Sequence, residues 1–126
     1  MLDVAHNPAG AWALRSTLSA AYEGTRAITM VFGVMRDKAV QEITEILFPV
    51  ASHVIVTHAN NPRAASPEEI RQAASRVTES IDIQEAEDVT SALDRARKIA
   101  GRGDVVVVTG SIYMVGEAMR TLGIRI

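Results

Sequence analysis

The sequence predicts an α/β domain of three layers, α/β/α and Rossmann-like, built on a mostly parallel sheet of about five strands. Three observations predict it. Short apolar, β-branched runs alternate with stretches of helical periodicity along the whole chain. The connections between them are short, as in successive βα units. Two runs, residues 26–34 and Val105 to Val108, are almost continuously apolar, as strands covered on both faces are. A length of 126 residues suits one domain, 1–126, and a 48% apolar content supports a core without staples.

Leu2 to Ala5 reads as the end of a first strand. Asn7 is a good helix N-cap and Pro8 a good first helical residue, because its missing N–H costs nothing there. The helix runs from Pro8 to about Tyr22, with Trp12, Leu14, Leu18 and Ala21 roughly on one face, and Gly24 is its stop. Residues 26–34 form the second strand. A second helix spans about Lys38 to Phe48, with Ile43, Ile46 and Leu47 as its stripe and Pro49 close behind. His53 to Thr57 is a third strand. Ser66-Pro67-Glu68-Glu69 is a capping box with Pro at the first helical position, opening a helix to about Glu79. Ile81 to Gln84 alternates in polarity and suits a sheet edge. Asp88 or Thr90 caps a fourth helix that ends near Ala100, with Arg97 and Lys98 in its last turn and Gly101 as a left-handed stop. Asp104 to Thr109 is the clearest central strand. Gly110-Ser111 turns into a last helix, about Ile112 to Leu122, which Gly123 ends.

Composition excludes several classes. Without cysteine there is no disulfide framework, thiolate metal site or thiol nucleophile, which fits a reducing compartment and a cytoplasmic location. A net charge of −2 with interspersed signs argues against nucleic acid and membrane partners. One tryptophan among 4% aromatics argues against a base-stacking surface. No apolar run approaches the roughly 18 residues of a membrane span. His53 and His58, five apart, point to opposite faces and have no third partner, so no metal site is expected. Met30, Met35, Met114 and Met119 read as core. Arg102-Gly103-Asp104 reads as a turn.

Right-handed crossovers place every strand-to-helix loop on one rim. Those loops carry Asp3, His6 and Asn7, then Arg36, Asp37 and Lys38, then His58, Asn60, Asn61 and Arg63, then Thr109, Gly110 and Ser111. Carboxylate, cations, amides and helix N-termini on one rim suit a small anionic ligand. Plainer readings stand beside this one. Asn7-Pro8 can be a cap alone, and Asp3 a solvated turn acid. Lys38 can be an ordinary surface lysine, although a cation at a helix start is mildly disfavoured by the dipole. Ser111 can be a plain N-cap. No G-x-x-x-x-G-K-[ST] phosphate loop and no G-x-G-x-x-G dinucleotide turn occurs.

The four loops together carry a resemblance. Asp3-Val4-Ala5-His6-Asn7-Pro8 resembles the D-x-A-H-N-P motif of the Mur ligase superfamily, and Val31 to Lys38 resembles its glycine-to-lysine loop. Asn61 to Ala65, and the run Val108-Thr109-Gly110-Ser111-Ile112-Tyr113-Met114-Val115-Gly116-Glu117, resemble the C-terminal domain of the folylpolyglutamate synthases, which are often also dihydrofolate synthases. The likeness covers the whole chain in order. It implies an ATP-dependent carboxylate–amine ligase that adds L-glutamate to folate or dihydropteroate through an acyl phosphate. It implies that Asp3 touches ATP, that His6 is the catalytic candidate beside it, and that Lys38 and Ser111 hold the glutamate. It also implies that the valine strand lies between the first and second strands. The phosphate loop, the Mg2+ ligands and most pterin contacts would belong to an N-terminal domain of the same chain, absent here. The sequence begins inside a strand, so it is expected to be a domain cut from a longer, monomeric enzyme. Two other readings stay open: a murein-type or other amino-acid ligase, and a nonenzymatic Rossmann-like binding module.

With no phosphate loop to supply the phosphoryl-site electrostatics, the chain by itself is expected neither to hydrolyse ATP nor to form a ligation product. Incubation of the purified chain with ATP, Mg2+, dihydropteroate and glutamate tests this. Turnover that survives repurification would overturn it.

Overall fold

A computed structural model describes residues 1–22, 27–77, 81–101 and 103–123, the side chains of residues 21 and 22 excepted. Five strands form one wholly parallel sheet in the order β1-β5-β2-β3-β4. They are β1 (Leu2–Asp3), β2 (Ile28–Gly33), β3 (His53–Val56), β4 (Asp82–Glu85) and β5 (Val105–Gly110). Five helices alternate with them: α1 (Pro8–Tyr22), α2 (Val40–Leu47), α3 (Pro67–Ala73), α4 (Val89–Ile99) and α5 (Ile112–Thr121). The valine strand lies between the first and second strands, as the resemblance implies.

Two apolar cores flank the sheet. Met30, Phe32, Val54, Val56 and Val107 meet Leu14, Leu18, Ile43, Leu47 and Ile70 on the face covered by α1, α2 and α3. Val31, Ile55 and Val108 meet Ala92, Leu93, Ala96, Met114 and Ala118 on the face covered by α4 and α5. Alternate residues of β2 therefore enter opposite cores, and all six are buried. Phe32 and Phe48 pack edge to face at 5.3 Å between ring centroids. Met30, Met35 and Met114 are core, and Met119 is half-buried.

Several elements depart from expectation, each for a local reason. Pairing in β1 stops at Asp3 rather than Ala5. Trp12 is 55% exposed, because the buried stripe of α1 is Ala11, Leu14 and Leu18 and Trp12 sits about 100° round the helix from Ala11. Its ring instead lies 5.3 Å from the Arg15 guanidinium. α2 starts at Val40, two residues after Lys38, and Pro49 converts its end into a 3₁₀ turn, Phe48–Val50. α3 ends at Ala73: Ser75 and Val77 bond carbonyls three residues back instead of four, so the chain tightens into turns. Gly101 has no positive φ. Ala100 ends α4 by turning extended, and the left-handed glycine is Gly103, φ 90°. Asp104 N–H closes that turn on the Gly101 carbonyl at 3.0 Å. The Gly24 stop, Ala21, Arg26, Glu79 and Arg102 lie outside the described residues or side chains.

The helix starts agree with their cap residues. Asn7 Oδ1 accepts from Gly10 N–H at 2.7 Å. The Ser66–Glu69 box is reciprocal, 3.1 Å each way. Of the two candidates at α4, Asp88 is the cap, accepting from Ser91 N–H at 2.7 Å. That backbone bond, with the Ser91 hydroxyl, holds the Asp88 carboxyl below its ordinary range. A depressed folded-state pKa contributes stability above the unfolded value, about 3.9, that is lost as pH falls through the folded pKa. Asp88→Asn keeps a capping oxygen but removes the titration. Melting temperature measured from pH 6 to pH 2.5 should therefore fall less steeply for Asp88→Asn than for the unaltered chain. Identical slopes would refute the role of the charge.

Candidate functional site

The carboxyl ends of the strands share one rim, and a cavity of about 340 Å³ opens there. Val4, His6, Met35, Asp37, Lys38, Arg63, Ser111, Ile112 and Tyr113 line it. Each of the four loops contributes. His6, Lys38 and Ser111 are brought together as expected. Asp3 is not among the lining residues: it stands half-buried at the end of β1, paired in register with Thr109.

Two glycines set where Ser111 and the start of α5 stand. Gly33 and Gly110 are register partners at the ends of β2 and β5. A Cβ on Gly110 would lie 1.7 Å from the Gly33 carbonyl oxygen, and Gly110 has φ +125°. Only glycine fits there. The ladder then continues one residue further, with Ser111 N–H donating to Gly33 O at 2.9 Å. Ser111 is thereby held 3% exposed at the mouth of α5. Its Oγ accepts from Met114 N–H at 3.1 Å, so it is the N-cap. That bond uses the oxygen as acceptor and leaves the hydroxyl proton as a donor. The N–H groups of Ile112 and Tyr113 have no partner inside the helix, as at any helix start. Ile112 and Tyr113 are themselves 66% and 52% exposed.

The other wall is zipped together. Met35 bridges Ala64, and Arg36 N–H donates to Arg63 O at 2.8 Å. Arg36 forks onto Glu69 at 3.1 and 3.2 Å, which holds that carboxyl low, with the Ser66 backbone N–H second. Asp37 accepts from Arg63 at 3.0 Å across the cavity wall. Lys38 is exposed, and its ammonium has no partner among the described residues. Asn61 shapes the loop by accepting from Arg63 N–H at 2.9 Å. Asn60 N–H donates to Glu117 of α5 at 2.5 Å, joining this loop to the helix that carries Ser111. His58 turns onto the neighbouring Ala59 carbonyl at 3.1 Å, outside the cavity lining. His53 pairs with Asp82 at 3.2 Å on the sheet edge.

Sequence reasoning did not find the apolar walls, Val4, Met35, Ile112 and Tyr113. The signal for the last two was their place as the first two residues of the helix after Ser111. The lining is thus an apolar frame holding two cations, a carboxylate, an imidazole and a buried hydroxyl. Among the described residues no three His, Cys, Asp or Glu side chains group to hold a metal ion. None of the described helices is long and apolar enough to cross a membrane.

Residues 1–112 match the Mur ligase family, glutamate ligase domain. The chain belongs to that family. Among curated relatives, the Mycobacterium tuberculosis dihydrofolate synthase/folylpolyglutamate synthase is 36% identical over 97% of this chain, which spans 28% of the relative's length. The probable bifunctional folylpolyglutamate synthase/dihydropteroate synthase of Haloferax volcanii is 36% identical over 96% of the chain and 14% of its own. The Mycobacterium tuberculosis folylpolyglutamate synthase solved with ADP superposes with a TM-score of 0.87, at 35% identity, over 98% of this chain and 29% of that one. A bifunctional folylpolyglutamate synthase/dihydrofolate synthase solved with Mn, AMPPNP and L-glutamate bound superposes with a TM-score of 0.84, at 27% identity, over 98% of this chain and 29% of that one.

The glycine contact gives a direct test. Gly110→Ala in this Mur ligase domain must move the end of β2 or β5 and strain a positive φ. The expected cost is roughly 2–5 kcal/mol, read as a lower urea midpoint. Gly103→Ala, where a Cβ meets nothing within 4 Å, should cost only the φ strain of roughly 1–2 kcal/mol. Equal midpoints for the two variants would show that the close approach carries no energy.

Proposed function

We propose that this chain is the C-terminal domain of an ATP-dependent ligase that adds L-glutamate to folate or dihydropteroate. The observation that carries this reading is the meeting of Lys38, Arg63 and buried Ser111 in one apolar-walled cavity at the N-terminus of α5. L-Glutamate brings two carboxylates, and two cations with a hydroxyl and free helix N–H groups suit them. The folate-synthase relatives and the glutamate-bound structure support it further.

In the proposed reaction the γ-phosphoryl of ATP passes to a carboxylate of the folate or dihydropteroate, and ADP leaves. The glutamate amine then attacks the acyl carbon of the resulting acyl phosphate, and phosphate leaves as the amide forms. Lys38 and Ser111 hold carboxylates so that the amine faces the acyl carbon. His6, on the same cavity, is the candidate catalytic group that takes up the amine's proton. Asp3, outside the cavity on β1, is assigned to the ATP side, where a carboxylate can accept ribose hydroxyls. Structural relatives were solved with ADP, and with AMPPNP and Mn. No three metal-ligating side chains group among the described residues, and by the family resemblance Mg2+ would be held by an N-terminal phosphate-loop domain. The whole enzyme is read as a cytoplasmic monomer. Closure of this domain over ATP would keep water from the acyl phosphate.

Ser111 now has two tasks on one oxygen: its lone pair caps α5 and its proton serves the ligand. Ser111→Ala in the intact ligase should lower stability by about 1 kcal/mol through the lost cap. It should also remove a hydrogen bond to a charged group, roughly 1.5–3 kcal/mol, and so raise the glutamate requirement about 10- to 150-fold. ATP and folate dependence should change little. If the glutamate dependence stays within about twofold while the melting temperature falls, Ser111 is a cap alone.

A further inference from the structure

One acid lines the cavity, Asp37. It sits there beside Lys38 and accepts a hydrogen bond from Arg63, which also lines the cavity, Nη2 to Oδ2 at 3.0 Å. Counted together, the charged groups are two cations and one carboxylate. An α-amino dicarboxylic acid carries the reverse: two carboxylates and one ammonium. Asp37 takes one N–H of Arg63, leaving four of the five guanidinium donors for another acceptor. Lys38 is left without a partner among the described residues. The ion pair is also cheap to open, since its side chains are 52% and 73% exposed and pairs so solvated contribute little.

We infer that Asp37 is a specificity-determining residue: it receives the ammonium of the incoming amino acid while Arg63 turns to a substrate carboxylate. The Asp37–Arg63 pair then stands in the empty cavity for the two ion pairs that the substrate makes. One internal pair is exchanged for two external ones, so the charges stay balanced as the amino acid binds, and His6 then takes the ammonium's proton before the amine attacks. A ligand without the ammonium cannot complete the exchange. It would leave the Asp37 carboxylate facing a substrate carboxylate with nothing between them, which is repulsive. The cavity therefore selects amino dicarboxylates over plain dicarboxylates. This inference rests on the glutamate reading of the cavity.

The test uses the intact ligase and two probes of the same length, glutamate and glutarate, which lacks the amine. The KM for glutamate and the inhibition constant of glutarate are measured for the unaltered enzyme and for Asp37→Asn, with ATP and folate saturating. Loss of the charge-assisted contact to the ammonium should raise the glutamate KM about tenfold, while glutarate, which makes no such contact, binds as well or better. The preference for glutamate over glutarate should narrow by at least about tenfold. Asp37→Ser, measured alongside with the melting temperature of each variant, should give the same narrowing if local geometry is preserved. Equal change in both constants, or no change in either, overturns the role of Asp37 and leaves the glutamate site standing. A glutamate KM that neither Arg63→Lys nor Ser111→Ala changes overturns the glutamate site and this inference with it.

Discussion

The site depends on one close approach, Gly33 against Gly110. Strands β2 and β5 run side by side to their last residues, and the backbone of one enters the space a Cβ on the other would fill, 1.7 Å from the carbonyl oxygen. Because the two ends are that near, the ladder continues onto Ser111. The first turn of α5 is then set at the centre of the rim rather than beyond it. A side chain at Gly110 would push α5 outward, and the cap, the free helix N–H groups and the exposed faces of Ile112 and Tyr113 would move with it.

What the glycines do for the α5 side, a set of cross-loop bonds does for the opposite wall. The loops after β2 and β3 are not independent: Met35 to Ala64, Arg36 N–H to Arg63 O and the Arg36–Glu69 fork join them. Glu117 closes the ring by holding Asn60 from α5. Singly, the exposed ion pairs among these contribute little. Their effect is geometric, since together they leave the Arg63 side chain and Lys38 facing one volume. Glu117 lies outside the cavity lining, so its place in the motif with Gly110 and Ser111 has a structural cause: it ties the helix to the loop.

The fold was legible because buried parallel strands leave a plain mark. Val105 to Val108 and the run around Val31 are apolar on both faces for the reason the sheet shows, a core on each side. Caps at Asn7, Ser66 and Ser111 were legible because a short polar side chain before a helical period can satisfy the first helix N–H groups, while at α4 the sequence left Asp88 and Thr90 open. Element ends were less so. Gly101 looked like a left-handed stop, but Ala100 had already turned extended and the positive φ went to Gly103. Trp12 looked like core because one bulky residue near a stripe mimics membership of it; three smaller residues form the real stripe. Of the site, His6, Lys38 and Ser111 could be foreseen through strand ends and motif likeness. The Asp37–Arg63 pairing could not, since it depends on how two loops 26 residues apart fold over each other.

Under the proposed reading, solvent exposure explains why such a domain must work against another surface. Two unit charges about 4 Å apart attract by about 1 kcal/mol in water and by about 4 kcal/mol at the effective dielectric of a partly buried site. Lys38 and Arg63 are exposed, so in the open cavity they sit near the weaker limit and discriminate poorly among anions. A carboxylate held there gains most of its binding energy only when water is displaced. The chain has the means to accept a cover: Val4, Ile112 and Tyr113 are exposed apolar side chains, and all three line the cavity that holds the charges. Covering that apolar frame would be favourable in itself, and the same step would strengthen every ion pair inside it. Closure and amino-acid recognition are then one event. The weakness of the open cavity becomes useful: glutamate is held firmly only when the surface bearing the activated carboxylate is already in place.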